Sequence, residues 1–207
     1  MRLNIGEQIN LFNEKNGEWH AKIIEIKKNT LIAEVLDQTL PPKTPSDISL
    51  LFSPIKHLNS EPVVRQSTEI GIKNLFPTKF QRTVVSKINL SKYEAYSVGA
   101  AQQSGRLSLP TIFQIEKLTN QKKLLQSSNV LMFDENLKGI SIDEVPKENF
   151  TDSILVIVGP EGGFVNEERE FIKANSKNFF NIKLGGQILK ADTAVIAALS
   201  LTFHFFS

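Results

Sequence analysis

The alternation of polar and apolar residues near the start of the chain predicts three short strands. The alternating stretches are Gln8–Phe12, Trp19–Ile26 and Leu31–Leu36. Alternation with a period of two residues is typical of a strand that has one covered face. Three such strands make only a small β unit.

A proline-rich stretch marks the end of this β unit. Pro41–Ser46 holds three prolines, which block helix formation and favour extended backbone, so it predicts a stiff linker. We therefore place the domain boundary there. The expectation is a β domain with its linker over residues 1–45 and a second domain over residues 46–207.

After the linker the pattern changes to alternating strands and helices. The run Ser153–Val158 is apolar throughout, which is typical of a strand buried on both faces in a parallel sheet. The fold class is therefore α/β with a mainly parallel sheet. Predicted strands are Ile48–Pro54, Lys73–Phe76, Thr111–Gln114, Val130–Phe133, Ser153–Val158 and Phe179–Leu184, and predicted helices are Pro62–Ile72, Asn89–Ser104, Glu116–Gln126, Glu167–Ala174 with Asn166 as its N-cap, and Ala191–Phe205.

Composition removes several classes of function. The 207 residues are 41% hydrophobic and 22% charged, which is ordinary for a globular protein. The absence of cysteine excludes a disulfide framework and a thiolate metal site, and the scattered histidines do not favour another metal site. No apolar run is long enough to span a membrane, and the start has no signal-peptide core, so we expect a soluble, cytoplasmic protein.

Positive charge is concentrated in one segment. The net charge is +2, but Val63–Ser108 holds seven basic and two acidic residues and is therefore +5. A local basic block on a nearly neutral chain indicates a surface that faces a polyanion, or simply a solvated face with spare lysines.

Two glycine loops carry the candidate chemistry. Val158–Phe164 and Leu184–Thr193 each follow a predicted buried strand and precede a helix, which is where open α/β sheets bind ligands. Neither loop fits the phosphate-binding P-loop or the dinucleotide pattern. Taken alone, each is either a ligand site or a tight strand-to-helix turn.

Further blocks occur together with these loops in a fixed order along nearly the whole chain. They are Phe12–Trp19, Ser67–Ile72, Gln81–Val84 and Ala100–Pro110, the last containing Ala-Ala-Gln-Gln-Ser-Gly-Arg. In this combination the chain resembles the RsmE-type uridine-N3 methyltransferases of small-subunit (16S) ribosomal RNA, which are members of the SPOUT class.

The chain departs from that family pattern at several positions. Gln102 or Gln103 stands where glutamate is usual, Gly186-Gln187 replaces Pro-Arg, Lys190 replaces arginine and Asp192 replaces glutamate. The β domain also looks like a PUA-like RNA-binding domain that lacks its first part. The resemblance therefore implies a truncated PUA-like domain.

The resemblance implies a trefoil-knotted SPOUT domain that binds S-adenosylmethionine and acts as a homodimer on 16S rRNA. The knot loops correspond to Leu131–Glu135, Val158–Gly163 and Leu184–Thr193. The implied cofactor-binding residues are Leu131, Phe133, Val158, Gly159, Pro160, Glu161, Gly162, Leu184, Gly185, Ile188, Leu189 and Thr193.

The chemistry of the reaction suggests further roles. Methylation of uridine N3 requires removal of a proton or stabilisation of an anion. The catalytic candidates are Glu161, Arg106 and Lys190, with Asp192 and Arg82 as alternatives. The residues predicted to bind RNA are Arg65, Arg82, Gln103, Ser104 and Arg106.

Three alternatives stay open at this point. The chain could be a non-catalytic RNA-binding or ribosome assembly factor of the same fold, or a SPOUT methyltransferase with another RNA target. An NAD-dependent α/β enzyme is disfavoured because the dinucleotide fingerprint is absent.

Overall fold

The described part of the chain forms two sheets and five α-helices. In the computed structural model, the described residues are 3–55, 60–134, 138–150 and 153–206. Glu135, the last residue of the first predicted knot loop, lies outside them. An antiparallel sheet occupies the start of the chain and a parallel sheet the remainder.

The first sheet contains the three predicted strands in sequence order. They are β1 (Gln8–Asn13), β2 (Gly17–Ile26) and β3 (Leu31–Leu40), all antiparallel. The prediction that β3 ends at Leu36 was wrong. The strand continues because Gln38 and Leu40 pair with Trp19 and Glu18 of β2, a contact that alternation within β3 does not reveal.

The second sheet is parallel at every pairing in the described residues, which confirms the predicted fold class. Its strand order is β10-β8-β9-β4-β5-β6, with β7 also paired to β5. The strands are β4 (Ile48–Phe52), β5 (Asn74–Lys79), β6 (Thr111–Ile112), β7 (Glu116–Lys117), β8 (Asn129–Phe133), β9 (Ile154–Val158) and β10 (Asn178–Ile182).

Helices cover both faces of this sheet. The helices are α1 (Ser60–Ile70), α2 (Leu90–Ser104), α3 (Lys122–Gln126), α4 (Asn166–Asn175) and α5 (Ala191–Phe206). One core cluster joins alternate residues of β4 and β9 to α1, α2 and α5. The other cluster joins the intervening residues to α3 and α4. The central strands are therefore apolar throughout, as a sheet covered on both faces requires.

Three further predicted element boundaries were wrong. Strand β5 does not stop at Pro77; this proline pairs with Phe52 and lies between the parts of β5 that pair with β6 and β7. The predicted helix Glu116–Gln126 begins instead as β7 and a 3₁₀ helix before α3. Asn166 is the first residue of α4, not its cap; Glu168 instead accepts a hydrogen bond from the Val165 amide at 3.1 Å.

Two other expectations concern the fold as a whole. Within the described part of the chain, no helix is long and apolar enough to cross a membrane. The strand order and the parallel pairing do not by themselves establish a trefoil knot, which stays a prediction.

Candidate functional site

A cleft opens at the carboxyl ends of β8 and β9. These neighbouring strands end at the same edge of the sheet, so the loops that follow them meet there, together with the loop that precedes α5. This is the edge at which parallel α/β sheets bind ligands. The lining residues are Phe133, Asp134, Val158, Gly159, Pro160, Glu161, Leu184, Gln187, Ile188, Leu189, Ala191 and Ala194.

The structure brings most of the predicted cofactor-binding residues to this cleft. All twelve belong to the described residues, and eight of them line it: Phe133, Val158, Gly159, Pro160, Glu161, Leu184, Ile188 and Leu189. The other four lie close in sequence but outside the lining. Leu131 is fully buried within β8, Gly162 and Gly185 lie in the two loops, and Thr193 is exposed in the first turn of α5.

The first glycine loop is shaped by a phenylalanine beneath it. A Cβ on Gly159 would lie 2.7 Å from the ring of Phe164, so no larger residue fits without displacing that ring. Phe164 is buried and packs edge-to-face on Phe80, with ring centroids 5.3 Å apart. The turn closes with a 2.8 Å hydrogen bond from the Gly163 amide to the Pro160 carbonyl. Both phenylalanines therefore support the loop from the core.

A buried ion pair borders the cleft and was missed by sequence reasoning. The Asp134 side chain is fully buried, and the Arg169 guanidinium of α4 donates Nε to Oδ2 at 2.5 Å and Nη2 to Oδ1 at 3.0 Å. This two-point contact fixes the end of β8 to α4. The sequence does show an acidic residue directly after a buried strand, which indicates a paired charge. It does not show the partner, which lies 35 residues away.

The cleft also includes three other residues that were not among the predicted cofactor-binding residues: Gln187, Ala191 and Ala194. Ala191 and Ala194 belong to the first turn of α5. Ala191 lies within the second glycine loop as predicted, Leu184–Thr193, and Ala194 directly follows that loop. Gln187 occupies one of the positions where the chain departs from the family pattern.

Arg82 lies at the first glycine loop. Its Nη1 donates to the Gly162 carbonyl, and a Cβ on Gly162 would be 3.2 Å from the Arg82 side chain. The next residue, Thr83, is fixed by hydrogen bonds to the Ser53 hydroxyl at 2.8 Å and from the Phe80 amide at 2.9 Å. A cation predicted to bind RNA is thus adjacent to the first glycine loop.

Arg106 lies elsewhere and is engaged by the protein itself. Its guanidinium donates to the carbonyls of Thr68 at 2.7 Å and Ile72 at 2.5 Å, and to the Ser108 hydroxyl at 3.1 Å. Burial lowers the pKa of Arg106 to about 10, with Glu14 opposing this shift. These contacts tie the end of α2 to the end of α1, a structural role that the sequence did not indicate.

The remaining predicted residues are distributed over the surface. Glu161 is exposed on the cleft rim, and Lys190 is exposed immediately before α5. Gln103 and Ser104 are exposed in the last turn of α2, near Arg106. Arg65 lies on α1, where its Nε donates to Glu61 at 2.8 Å. The structure therefore gathers the cofactor candidates but not all the RNA-binding candidates.

The described residues contain no cluster of three or more histidine, aspartate or glutamate side chains suited to a metal ion. The polar side chains that line the cleft are two carboxylates, Asp134 and Glu161, and the amide of Gln187. Such a set can bind an organic ligand.

Family models match the chain in two consecutive parts. An RNA methyltransferase domain matches residues 42–202, and an RNA methyltransferase PUA domain matches residues 1–36. The first match covers most of the chain and includes every residue of the cleft. The PUA-like character expected of the first sheet is thereby confirmed.

Named relatives agree with these matches. The ribosomal RNA small subunit methyltransferase E of Rickettsia conorii is 31% identical over 97% of this chain and 82% of its own length. The protein of the same name from Aquifex aeolicus is 31% identical over 84% of this chain and 74% of its own length.

Solved structures have the same fold. A Neisseria gonorrhoeae ribosomal RNA small subunit methyltransferase E, bound to S-adenosylmethionine, gives a TM-score of 0.82 at 24% identity over 96% of this chain and 83% of that one. A Legionella pneumophila protein described as a methyltransferase, solved with the same cofactor, gives 0.80 at 27% identity over the same shares. The chain therefore belongs to the RNA methyltransferase family that includes the ribosomal RNA small subunit methyltransferase E proteins.

Proposed function

We propose that this protein transfers a methyl group from S-adenosylmethionine to N3 of a uridine in 16S ribosomal RNA. The observation that carries the proposal is the cleft at the carboxyl ends of β8 and β9, where both glycine loops meet. The family membership supports an RNA substrate, and the names of the relatives support the small ribosomal subunit.

The lining of the cleft fits the cofactor. Phe133, Leu184 and Leu189 offer apolar walls for the adenine ring, and the loop from Gly159 to Gly163 presents backbone groups at the rim. Pockets that bind organic cofactors combine apolar walls with a few well-positioned polar groups. S-adenosylmethionine, when bound, supplies an electrophilic methyl group on a positively charged sulfur. The work of the protein is to align the acceptor and to exclude water.

Glu161 lines the cleft, and Lys190 directly follows Leu189, another lining residue. We assign Glu161, on the rim of the cleft, as the group that accepts the N3 proton, and Lys190, within the second glycine loop, as the cation that stabilises the uridine anion. Arg106 has its donors on Thr68, Ile72 and Ser108. Its proposed contribution is therefore to hold the α2 end that contacts RNA.

The RNA must present an unpaired base, because N3 lies on the Watson–Crick edge. We propose that Arg82 guides the strand to the cleft, since it contacts the first glycine loop. Arg65, Gln103 and Ser104 contribute RNA contacts further away. Binding through phosphates makes the affinity strongly dependent on salt.

The proposed enzyme is a cytoplasmic homodimer with a trefoil knot. Helix α5 supports the dimer: Val195, Ala198 and Leu199 face the core, whereas Ile196 and Leu201 stay partly exposed. A second copy packed on this helix would cover them. Light scattering of the purified protein tests this part, with twice the mass of the 23.2 kDa chain expected.

Titration calorimetry with S-adenosylmethionine tests the proposed cofactor. Micromolar binding supports the enzyme, and undetectable binding favours the non-catalytic assembly factor. A Glu161→Gln variant should retain the cofactor affinity and lose methyl transfer. Equal losses of both would contradict the role proposed for Glu161.

Mass spectrometry of rRNA nucleosides tests the product. Small-subunit rRNA from cells that lack this gene should have lost one N3-methyluridine, and the purified protein should restore it. Restoration of a different methylated nucleoside would contradict the proposed target.

A further inference from the structure

A second cleft lies between the starts of α1 and α2, away from the glycine loops. It is bordered by α1 at Glu61, by α2 at Lys92 and Tyr96, and by the segment Val84–Asn89. Its volume is about 470 Å³, within the roughly 300–1,000 Å³ range of small-ligand sites. Of the residues given a role above, only Arg65, proposed to contact RNA, lies beside it.

An aromatic ring with two cations forms one wall. The Arg65 guanidinium carbon lies 5.3 Å from the centroid of the Tyr96 ring, and the Lys92 Nζ lies 5.6 Å from it. These are cation–π distances. Arg65 is fixed from the other side by Glu61 and packs on Gly99, where a Cβ would be 3.1 Å from its Nη1. The wall is therefore organised before any ligand arrives.

The charge of the cleft is positive. Lys87 and Lys92 are exposed at its border. Arg65 contacts the Tyr96 ring and keeps 40% of its side chain exposed. The Arg65 hydrogen bond holds the pKa of Glu61 below its ordinary value, so this carboxylate stays ionised. The charged residues that line the cleft are thus two cations, Lys87 and Lys92, and one anion, Glu61, which is paired with Arg65, so the cleft carries a net positive charge that attracts phosphate.

A short segment of chain joins this cleft to the cofactor cleft. Arg82 contacts Gly162 in the first glycine loop, and Lys87 lies five residues further along. Five extended residues span at most about 18 Å. A strand of RNA whose target base lies in the cofactor cleft can therefore reach Lys87 and Lys92 within a few nucleotides.

We propose that the α1–α2 cleft binds a nucleotide that flanks the methylated uridine in the single-stranded part of the RNA. Lys87 and Lys92 hold its phosphate, and its base and sugar lie beside Tyr96. This inference rests on the proposed function, because it places the flanking nucleotide relative to a base in the cofactor cleft. A combination of cations with an aromatic side chain is what single-stranded nucleic acid requires.

The test compares two double variants with equal changes of charge. Lys87→Ala/Lys92→Ala removes the cations of the cleft. Lys122→Ala/Lys123→Ala removes two exposed lysines of α3, which packs on the opposite face of the sheet. Binding to small ribosomal subunits from cells that lack the gene is measured across a range of salt concentrations, and circular dichroism verifies folding.

The cleft variant should bind at least about tenfold more weakly. The slope of log affinity against log salt should become shallower by about 0.7, the value for one single-strand phosphate contact. The α3 variant should keep the slope of the original protein. Equal slopes for all three proteins would overturn the inference.

A Tyr96→Leu variant separates stacking from charge. We expect its affinity for the small subunit to fall at least about fivefold with an unchanged salt slope. S-adenosylmethionine affinity by calorimetry and kcat should be unchanged while KM rises. A lower kcat with an unchanged KM would contradict a binding role.

If the original protein binds these subunits but methylates nothing, the proposed function fails, and the salt slopes still decide whether the cleft binds RNA.

Discussion

Within the described residues, Ala21 and Ile23 are the only fully covered hydrophobic side chains of the sheet β1–β3, whereas β4, β8 and β9 are buried at every position. The described residues include fifteen exposed large hydrophobic side chains, and ten of them lie between Leu3 and Leu40. The parallel sheet thus makes its own core with its helices. The antiparallel sheet depends on strand pairing and on contacts at its end, such as Gly17 against the Leu40 and Pro41 backbone.

This difference in burial between the two sheets corresponds to two proposed roles, cofactor binding and contact with a large partner. The proposed cofactor site needs loops that hold their shape, and the first glycine loop follows β9, which is buried at every position. A small sheet without a substantial core is only marginally stable alone. Its exposed surface is, however, suited to contacts with large partners.

The largest effect should come from removing a side chain of the parallel core. Leu155→Ala in β9 should lower the free energy of unfolding by about 2–5 kcal/mol, because the fully buried leucine leaves a cavity. Leu36→Ala in β3 should change it by less than about 0.5 kcal/mol, since this side chain is 44% exposed. Urea denaturation of both variants measures this contrast. Similar losses would show that the two sheets form one core.

A smaller effect distinguishes the two glycine loops. Gly159→Ala should destabilise the protein by about 1–3 kcal/mol, because its Cβ would lie 2.7 Å from the Phe164 ring. Gly186→Ala is the matched control, since a Cβ there meets nothing within 4 Å. Calorimetry should show weaker S-adenosylmethionine binding for Gly159→Ala alone. If both variants bind S-adenosylmethionine as tightly as the original protein, the first glycine loop is not part of the cofactor site.

The two sheets can also be followed separately in one unfolding experiment. Trp19 is the only tryptophan of the chain and lies in β2, whereas all five α-helices belong to the other unit. Tryptophan fluorescence should therefore change at a lower urea concentration than circular dichroism at 222 nm, by up to about 1 M for a difference of 1–2 kcal/mol. Coincident transitions would mean that β1–β3 unfolds only with the rest.

Local patterns in the sequence were sufficient for the regular elements. The apolar run of β9 predicted a strand covered on both faces, and the predicted helix Asn89–Ser104 corresponds to α2, which begins one residue later. Asn89 is the N-cap of this helix, and its side chain accepts a hydrogen bond from the Lys92 amide at 3.0 Å. These features act over a few residues and are readable from spacing.

The rest depends on contacts between distant segments. Pro77 remains in β5 because β6 and β7 pair on either side of it. The site shows the same limit: glycines predicted both loops, but the pair Asp134–Arg169 joins residues 35 positions apart. Arg106 was singled out as a cation for RNA, yet it donates to the Thr68 and Ile72 carbonyls, which no spacing rule reveals.

The smallest expected effect is an alkaline weakening confined to the helical unit. Burial raises the pKa of Tyr93 above its ordinary value of 10.0, so the fold favours the neutral phenol. The unfolded chain then loses this proton first, and stability that is fully present below pH 10 is lost as the pH rises towards the folded pKa. In Tyr93→Phe this loss is absent. The buried Arg106 is present in both proteins, so its titration changes the stability of both by the same amount.

Urea denaturation followed at 222 nm should therefore show a larger decrease in the free energy of unfolding between pH 8 and pH 10.5 for the original protein than for Tyr93→Phe. Because β1–β3 contains no tyrosine, the Trp19 transition should not show this difference. If it does, the two sheets share one cooperative core after all.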